Sequence, residues 1–196
     1  IQAANLRALK AGTTTDKVFE LVRKLRETIT IPMVFMTYAN VVFSYGSEKF
    51  LFRAAEAGIQ GLILPDVPFE EKAEFEPLCA KYGLELVSMI APTSHERIRS
   101  IAAEAKGFVY CVSSLGVTGV RSSITTDIGA MVKLVKETKA IPAAVGFGIS
   151  TPEQAREMAQ KADGVIVGSA IVKLIAANGR DSVEPVTEYV KAMKDA

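Results

Sequence analysis

Two apolar runs that end in glycine carry most of the chemistry this sequence offers. From residue 143 the chain reads AAVGFGIS, and from residue 163 it reads DGVIVGSAIVK. Each run is followed by a helix-starting residue. Glycine at such a turn lets backbone N–H groups approach a ligand with no Cβ in the way. The helix start just beyond presents unpaired N–H groups and the positive end of its dipole to an anion. Two such devices in succession, with LGVTGV at 115–120 before them, point to a phosphate cradle. Plain turn geometry is the other use of the same glycines.

Other reactive types are sparse. Asp66 is the one carboxylate close to a strand end at the mouth, and no second carboxylate pairs with it in sequence. It suits three roles: a base, a partner contact, or a loop-fixing hydrogen bond. No lysine ends a strand, which argues against Schiff-base chemistry. His95 is the only histidine, so histidine triads and histidine-rich metal sites are nearly excluded. Cys79 and Cys111 have no metal-ligand spacing and fit core positions in a reducing, cytoplasmic protein. Tyr110 lies on an apolar strand, at the core, the rim or the site. Phe147, between two glycines, walls an apolar pocket or simply packs.

The elements that must position these residues alternate. The opening IQAANLRALKAG is an amphipathic helix ending at Gly12, without the apolar region of a signal peptide. Residues 13–16 supply N-caps for a second helix with Val18, Phe19, Leu21, Val22 and Leu25 at helical spacing. Strands are predicted at 33–38, 61–64, 84–90, 108–112, 141–146 and 164–167. Helices are predicted at 50–57, 70–82, 94–105, 127–138 and 151–161, with shorter ones at 170–176 and 183–194. Residues 40–46 and 113–123 read as loops. Near-continuously apolar strands are buried on both faces, as in parallel sheets. Strict alternation without a dinucleotide-binding fingerprint favours an α/β TIM (β/α)8 barrel over a doubly wound sheet.

A complete barrel has eight strands in about 250 residues. Six strands in 196 residues, opened by a helix and by Ile1, predict one barrel domain over 1–196 that lacks its first two strands. The formal net charge of +1 and the absence of a lysine or arginine stripe exclude nucleic acid as a partner. No apolar run approaches the roughly 18 residues of a membrane span.

The segments MTYAN (36–40), PDVPFEE (65–71), SLGVTG (114–119), GFGIS (146–150) and GSAIVK (168–173) resemble the tryptophan synthase alpha subunit family, in the family's order and across nearly the whole chain. The resemblance implies retro-aldol cleavage of indole-3-glycerol phosphate to indole and glyceraldehyde 3-phosphate, with no cofactor and no metal. It implies a beta-subunit partner, in an alpha2-beta2 complex, that carries pyridoxal phosphate. Gly119, Gly148, Gly168 and Ser169 match phosphate-binding positions, and Tyr110 matches an active-site tyrosine. Met36, Ile63, Met89, Phe147 and Ile166 match the indole pocket, joined by Thr118 from a loop that closes over it. Tyr38, Asn40 and Asp66 match the face turned to the beta subunit, which assigns Asp66 to communication with the partner.

The family's proton-transferring glutamate and indole-binding aspartate precede the point where this sequence begins. The expectation is therefore a chain inactive on its own. The alternatives are a non-catalytic module that binds the beta subunit, and another phosphate-binding barrel enzyme.

Overall fold

The computed structural model describes residues 1–112, 127–146 and 148–196. Within them the chain forms two compact units: one of 7–88 with 105–107, the other of 1–6, 89–104 and 108–196. Helix α1 (Gln2–Lys10) opens the chain and buries none of its residues.

The first unit is built on a three-stranded sheet. Its order is β1 (Val34–Met36), β2 (Gly61–Ile63), β3 (Glu85–Leu86), with both ladders parallel. Helix α2 (Thr15–Arg26) starts at Thr14, whose side chain accepts from the Lys17 N–H at 3.3 Å. Its buried face carries Phe19 and Val22. The Phe19 ring meets Phe35, Tyr45 and Phe50 at centroid distances of 5.7, 5.6 and 5.3 Å. That aromatic cluster joins α2 to β1, to α3 (Ala39–Tyr45) and to α4 (Ser47–Glu56). Arg26, from the last turn of α2, donates to the Gly58 carbonyl at 2.9 Å and to the Ile31 carbonyl at 2.7 Å. One guanidinium thus serves carbonyls left open at the end of α4 and before β1.

Three expectations change in this unit. The 40–46 stretch is the helix α3, not a loop. The 70–82 helix is a 3-10 stretch (Phe69–Glu74) followed by α5 (Glu76–Lys81), with Pro77 in the first turn. Residues 33–38 are not a buried strand: Val34 is 39% and Met36 47% exposed, because β1 has only β2 beside it among the described residues.

The second unit holds a sheet of order β4 (Ser88–Ile90), β5 (Val109–Val112), β6 (Ala143–Gly146), β7 (Gly164–Val165). The β5–β6 and β6–β7 ladders are parallel. Ser94 caps α6 (His95–Glu104), which packs on α7 (Ile128–Thr138). Asp127 caps α7, its side chain accepting from the Ala130 N–H at 3.0 Å. Ile98, Ile101 and Ala102 of α6 and Met131, Val132 and Val135 of α7 are buried, as are Val109, Cys111, Ala143 and Val145 of β5 and β6. Three helices follow: α8 (Pro152–Ala159), α9 (Ser169–Asn178) and α10 (Val183–Lys194).

The predicted strand at 84–90 is two strands. The Val87 N–H still donates to Leu62 O at 2.9 Å, closing the ladder with β2. From Ser88 onward the backbone pairs with β5. Residues 164–167 likewise pair only as far as Val165, and the Ile166 N–H then donates to Val145 O at 2.7 Å.

Candidate functional site

The two glycine-ended turns differ in what their N–H groups are doing. At 148–151 the chain turns through Gly148, whose φ of +88° is a conformation that favours glycine. Helix α8 then begins with a complete capping box. Gln154 accepts from the Ser150 N–H at 2.8 Å and the Thr151 N–H at 3.2 Å, while Thr151 accepts from the Gln154 N–H at 3.3 Å. Those donors are therefore already used. The Tyr189 hydroxyl, from α10, donates to Ser150 O at 2.8 Å and braces the same turn.

Helix α9 is different. Gly168 is its N-cap and makes no side-chain cap bond. Its φ of −126° does not call for glycine, and among the described residues a Cβ there would meet nothing within 4 Å. The described residues thus give no steric reason for glycine at 168. The uncapped first turn, with Ser169 half-buried, presents N–H donors to whatever approaches. Of the paired device read from sequence, only this copy keeps its helix start open.

Tyr110 sits on β5 opposite Ala144 of β6 and is 4% exposed. Burial pushes its phenol up to about 12, so the hydroxyl keeps its proton at neutral pH. Its ring lies over Gly146, at the end of β6 where the GFGIS turn starts. Ile166 follows β7 and is half-buried, as is Met89 on β4. The neighbouring Cys111 is buried, and its thiol is also pushed up to about 12 by desolvation. Cys79, buried on α5, is pushed up to about 11. Both cysteines are core groups, as their positions in sequence suggested.

In the first unit, Met36 and Ile63 are register partners at the ends of β1 and β2. Ile63 is buried, while Met36 stands at the open side of the sheet. Asp66 follows β2 in an exposed turn closed by Val67 N–H to Leu64 O at 3.3 Å. Both of its carboxylate oxygens lie 3.1 Å from the Ala39 N–H. Asp66 is thus the acceptor for the first turn of α3, whose N-cap residue Tyr38 contributes no side-chain bond. Of the three roles open to Asp66 in sequence, the loop-fixing hydrogen bond is the one formed. Tyr38 is 62% exposed, with Asn40 exposed beside it. Phe43, one turn further along α3, is also exposed, its ring 5.0 Å from that of Phe75 and tilted by 42°. Sequence reasoning missed Phe43; its i+3 spacing from Asn40 was a usable signal only with α3 recognised as a helix.

Gly119, Thr118 and Phe147 lie outside the described residues. Among the described residues no helix is long and apolar enough to cross a membrane. Among those same residues no cluster of histidine, cysteine and carboxylates is placed to hold a metal ion.

The family described as tryptophan synthase alpha chain matches residues 1–196. The alpha chain of Lactiplantibacillus plantarum is 48% identical over 197 residues, covering 100% of this chain and 74% of that relative. That of Lacticaseibacillus casei is 44% identical over 196 residues, covering 100% and 74%. Among solved structures, the alpha subunit from Campylobacter jejuni superposes with a TM-score of 0.82 at 35% identity, over 95% of this chain and 73% of that one. A Pyrococcus furiosus tryptophan synthase a2b2 complex gives 0.86 at 31% identity, over 100% and 79%. On these matches across the whole chain, the chain belongs to the tryptophan synthase alpha chain family, α/β-barrel lyases of tryptophan biosynthesis that cleave indole-3-glycerol phosphate to indole and glyceraldehyde 3-phosphate.

Proposed function

We propose that this chain holds the phosphate of indole-3-glycerol phosphate at the start of α9, through the N–H groups that follow Gly168 and through Ser169. The observation that carries this reading is the first turn of α9, which has no side-chain cap and is entered through a glycine that no described residue requires. The family resemblance assigns Gly148 and Gly119 to the same phosphate. By the family resemblance, Met36, Ile63, Met89, Thr118, Phe147 and Ile166 are the indole-pocket positions and Tyr110, a protonated phenol, is the active-site tyrosine. No cofactor belongs to this chain in the reaction.

Cleavage needs a proton delivered to indole C3, so that the ring departs as the carbon–carbon bond to the glycerol chain breaks. Asp66 is the only carboxylate residue in the three positions that follow the C-terminal end of a described strand, and it already serves Ala39. Phosphate binding supplies positioning but no proton. The 196-residue chain alone therefore binds substrate without turning it over.

A beta subunit carrying pyridoxal phosphate docks on the face that Tyr38, Asn40 and the turn held by Asp66 present, as alpha2-beta2 in the cytoplasm. The Pyrococcus furiosus relative was solved as such a complex, and the exposed Tyr38 and Phe43 side chains suit a docking surface.

Calorimetric titration with glycerol 3-phosphate tests the cradle. Ser169→Asp places a negative charge in it, and the expected result is binding weakened at least about tenfold, or roughly 1.4 kcal/mol. Unchanged affinity overturns the phosphate assignment. Steady-state indole release by the purified chain, expected at background, overturns the second claim if it is measurable.

A further inference from the structure

We propose that Asp66 acts on the beta-subunit face as the N-terminal cap of α3, holding Tyr38, Asn40 and Phe43 in place, and is not itself read by the partner. The proposal rests on the partner reading above and names the residue that shapes that surface.

Helix α3 has only seven residues. A helix this short is marginal without help at its ends. Its N-cap, Tyr38, has the extended backbone of a capping residue (φ −82°, ψ 150°) but no side-chain oxygen within reach of the first turn. The missing acceptor comes from 27 positions away: both Asp66 oxygens sit 3.1 Å from the Ala39 N–H.

The clamp is fixed at both ends. Ala39 and Val42 are buried, so α3 cannot roll without breaking core contacts. Leu64 is buried two residues before Asp66, and the Leu64–Val67 turn bond closes around it. Asn40 and Phe43 project from the exposed side of α3. The loops after β1 and after β2 are thereby joined through one carboxylate, and a partner meets them as a single preorganised surface. Preorganisation raises affinity by removing the ordering cost of binding.

The test has two readouts on the full 196-residue chain. Amide hydrogen exchange reports the clamp directly. In Asp66→Ala the amides of 39–42 should exchange about fivefold faster, the size of a lost N-cap, whereas Asp66→Asn, whose amide oxygen still accepts, should stay near wild type. Unchanged exchange in Asp66→Ala overturns the cap.

Titration with a tryptophan synthase beta subunit reports the face. Asp66→Ala should bind about fivefold more weakly and Asp66→Asn within about twofold of wild type. Equal losses in Asp66→Ala and Asp66→Asn overturn the proposal, because the partner would then be reading the charge. Tyr38→Asn supplies a local cap; on that background Asp66→Ala should have no further effect on exchange or binding, and a persisting loss of affinity again assigns Asp66 to direct contact. If the wild-type chain binds no beta subunit, the partner reading falls and the role of the face falls with it, while the exchange result still decides the cap.

Discussion

A methyl group added at Gly146 would collide with the Tyr110 hydroxyl oxygen and lie 2.6 Å from its ring carbon Cζ. Tyr110 is too deeply buried to swing away into solvent. Gly146→Ala should therefore destabilise the chain by about 1–3 kcal/mol, the usual cost of overpacking, and tilt the phenol off the GFGIS turn. Chemical denaturation of the single variant, of Tyr110→Ala and of the double variant measures this. The alanine should cost far less once the ring is gone, giving a coupling that distant sites do not show. The tyrosine's position on a strand was legible in sequence, and so was the glycine. Their contact was not, because it joins neighbouring strands in a register that only the folded sheet sets. The same holds for Asp66: its isolation among the carboxylates was readable, but the N–H it serves belongs to another loop.

Elements with their caps nearby were readable, and elements capped from afar were not. Thr14 before α2, Ser94 before α6 and Thr151 before α8 stand directly ahead of the helices they start. Helix α3 is not legible in the sequence because Tyr38 gives no capping signal and Asp66 lies beyond the next strand. The division of 84–90 was equally invisible, since all its residues suit a strand and only their partners change at Val87. Asp163 shows how such a junction responds to pH. Its carboxylate pairs with Lys136 of α7 and accepts from the Ala143 N–H of β6 at 2.7 Å. The Lys136 bond first, and the Ala143 N–H second, hold its pKa below the ordinary 3.8, against the opposing effect of burial. A lowered folded pKa gives stability that is present above 3.8 and lost as pH falls through the folded value. Asp163→Asn keeps an acceptor for Ala143 but loses the titration. Its stability should fall less steeply than wild type below about pH 4, and urea denaturation across the acid range checks this.

At the scale of the molecule, apolar side chains stand uncovered in several places. Val34 and Met36 on β1, Leu6 and Leu9 on α1, and Ile175 and Val190 on α9 and α10 are all exposed. An unpaired strand edge with apolar side chains invites pairing with another chain. The purified 196-residue chain should therefore self-associate at micromolar concentration, and Val34→Lys with Met36→Lys should shift it toward monomer. Sedimentation velocity reads both, and a wild-type chain that stays monomeric throughout contradicts the expectation. The alternation of strands and helices, and with it the barrel class, was plain from sequence; which surfaces remain open was not, since exposure depends on neighbours and not on residue type. The handover at Val87 also sets a schedule for synthesis. All three strands of the first sheet have been translated by residue 86, whereas β7 of the second is complete only at residue 165. At about 5–20 residues per second, the aromatic cluster around Phe19 has several seconds to assemble on the ribosome before its successor sheet has all its strands. The strands of the first sheet are therefore all available for pairing before those of the second, and the changeover falls where one strand changes partners.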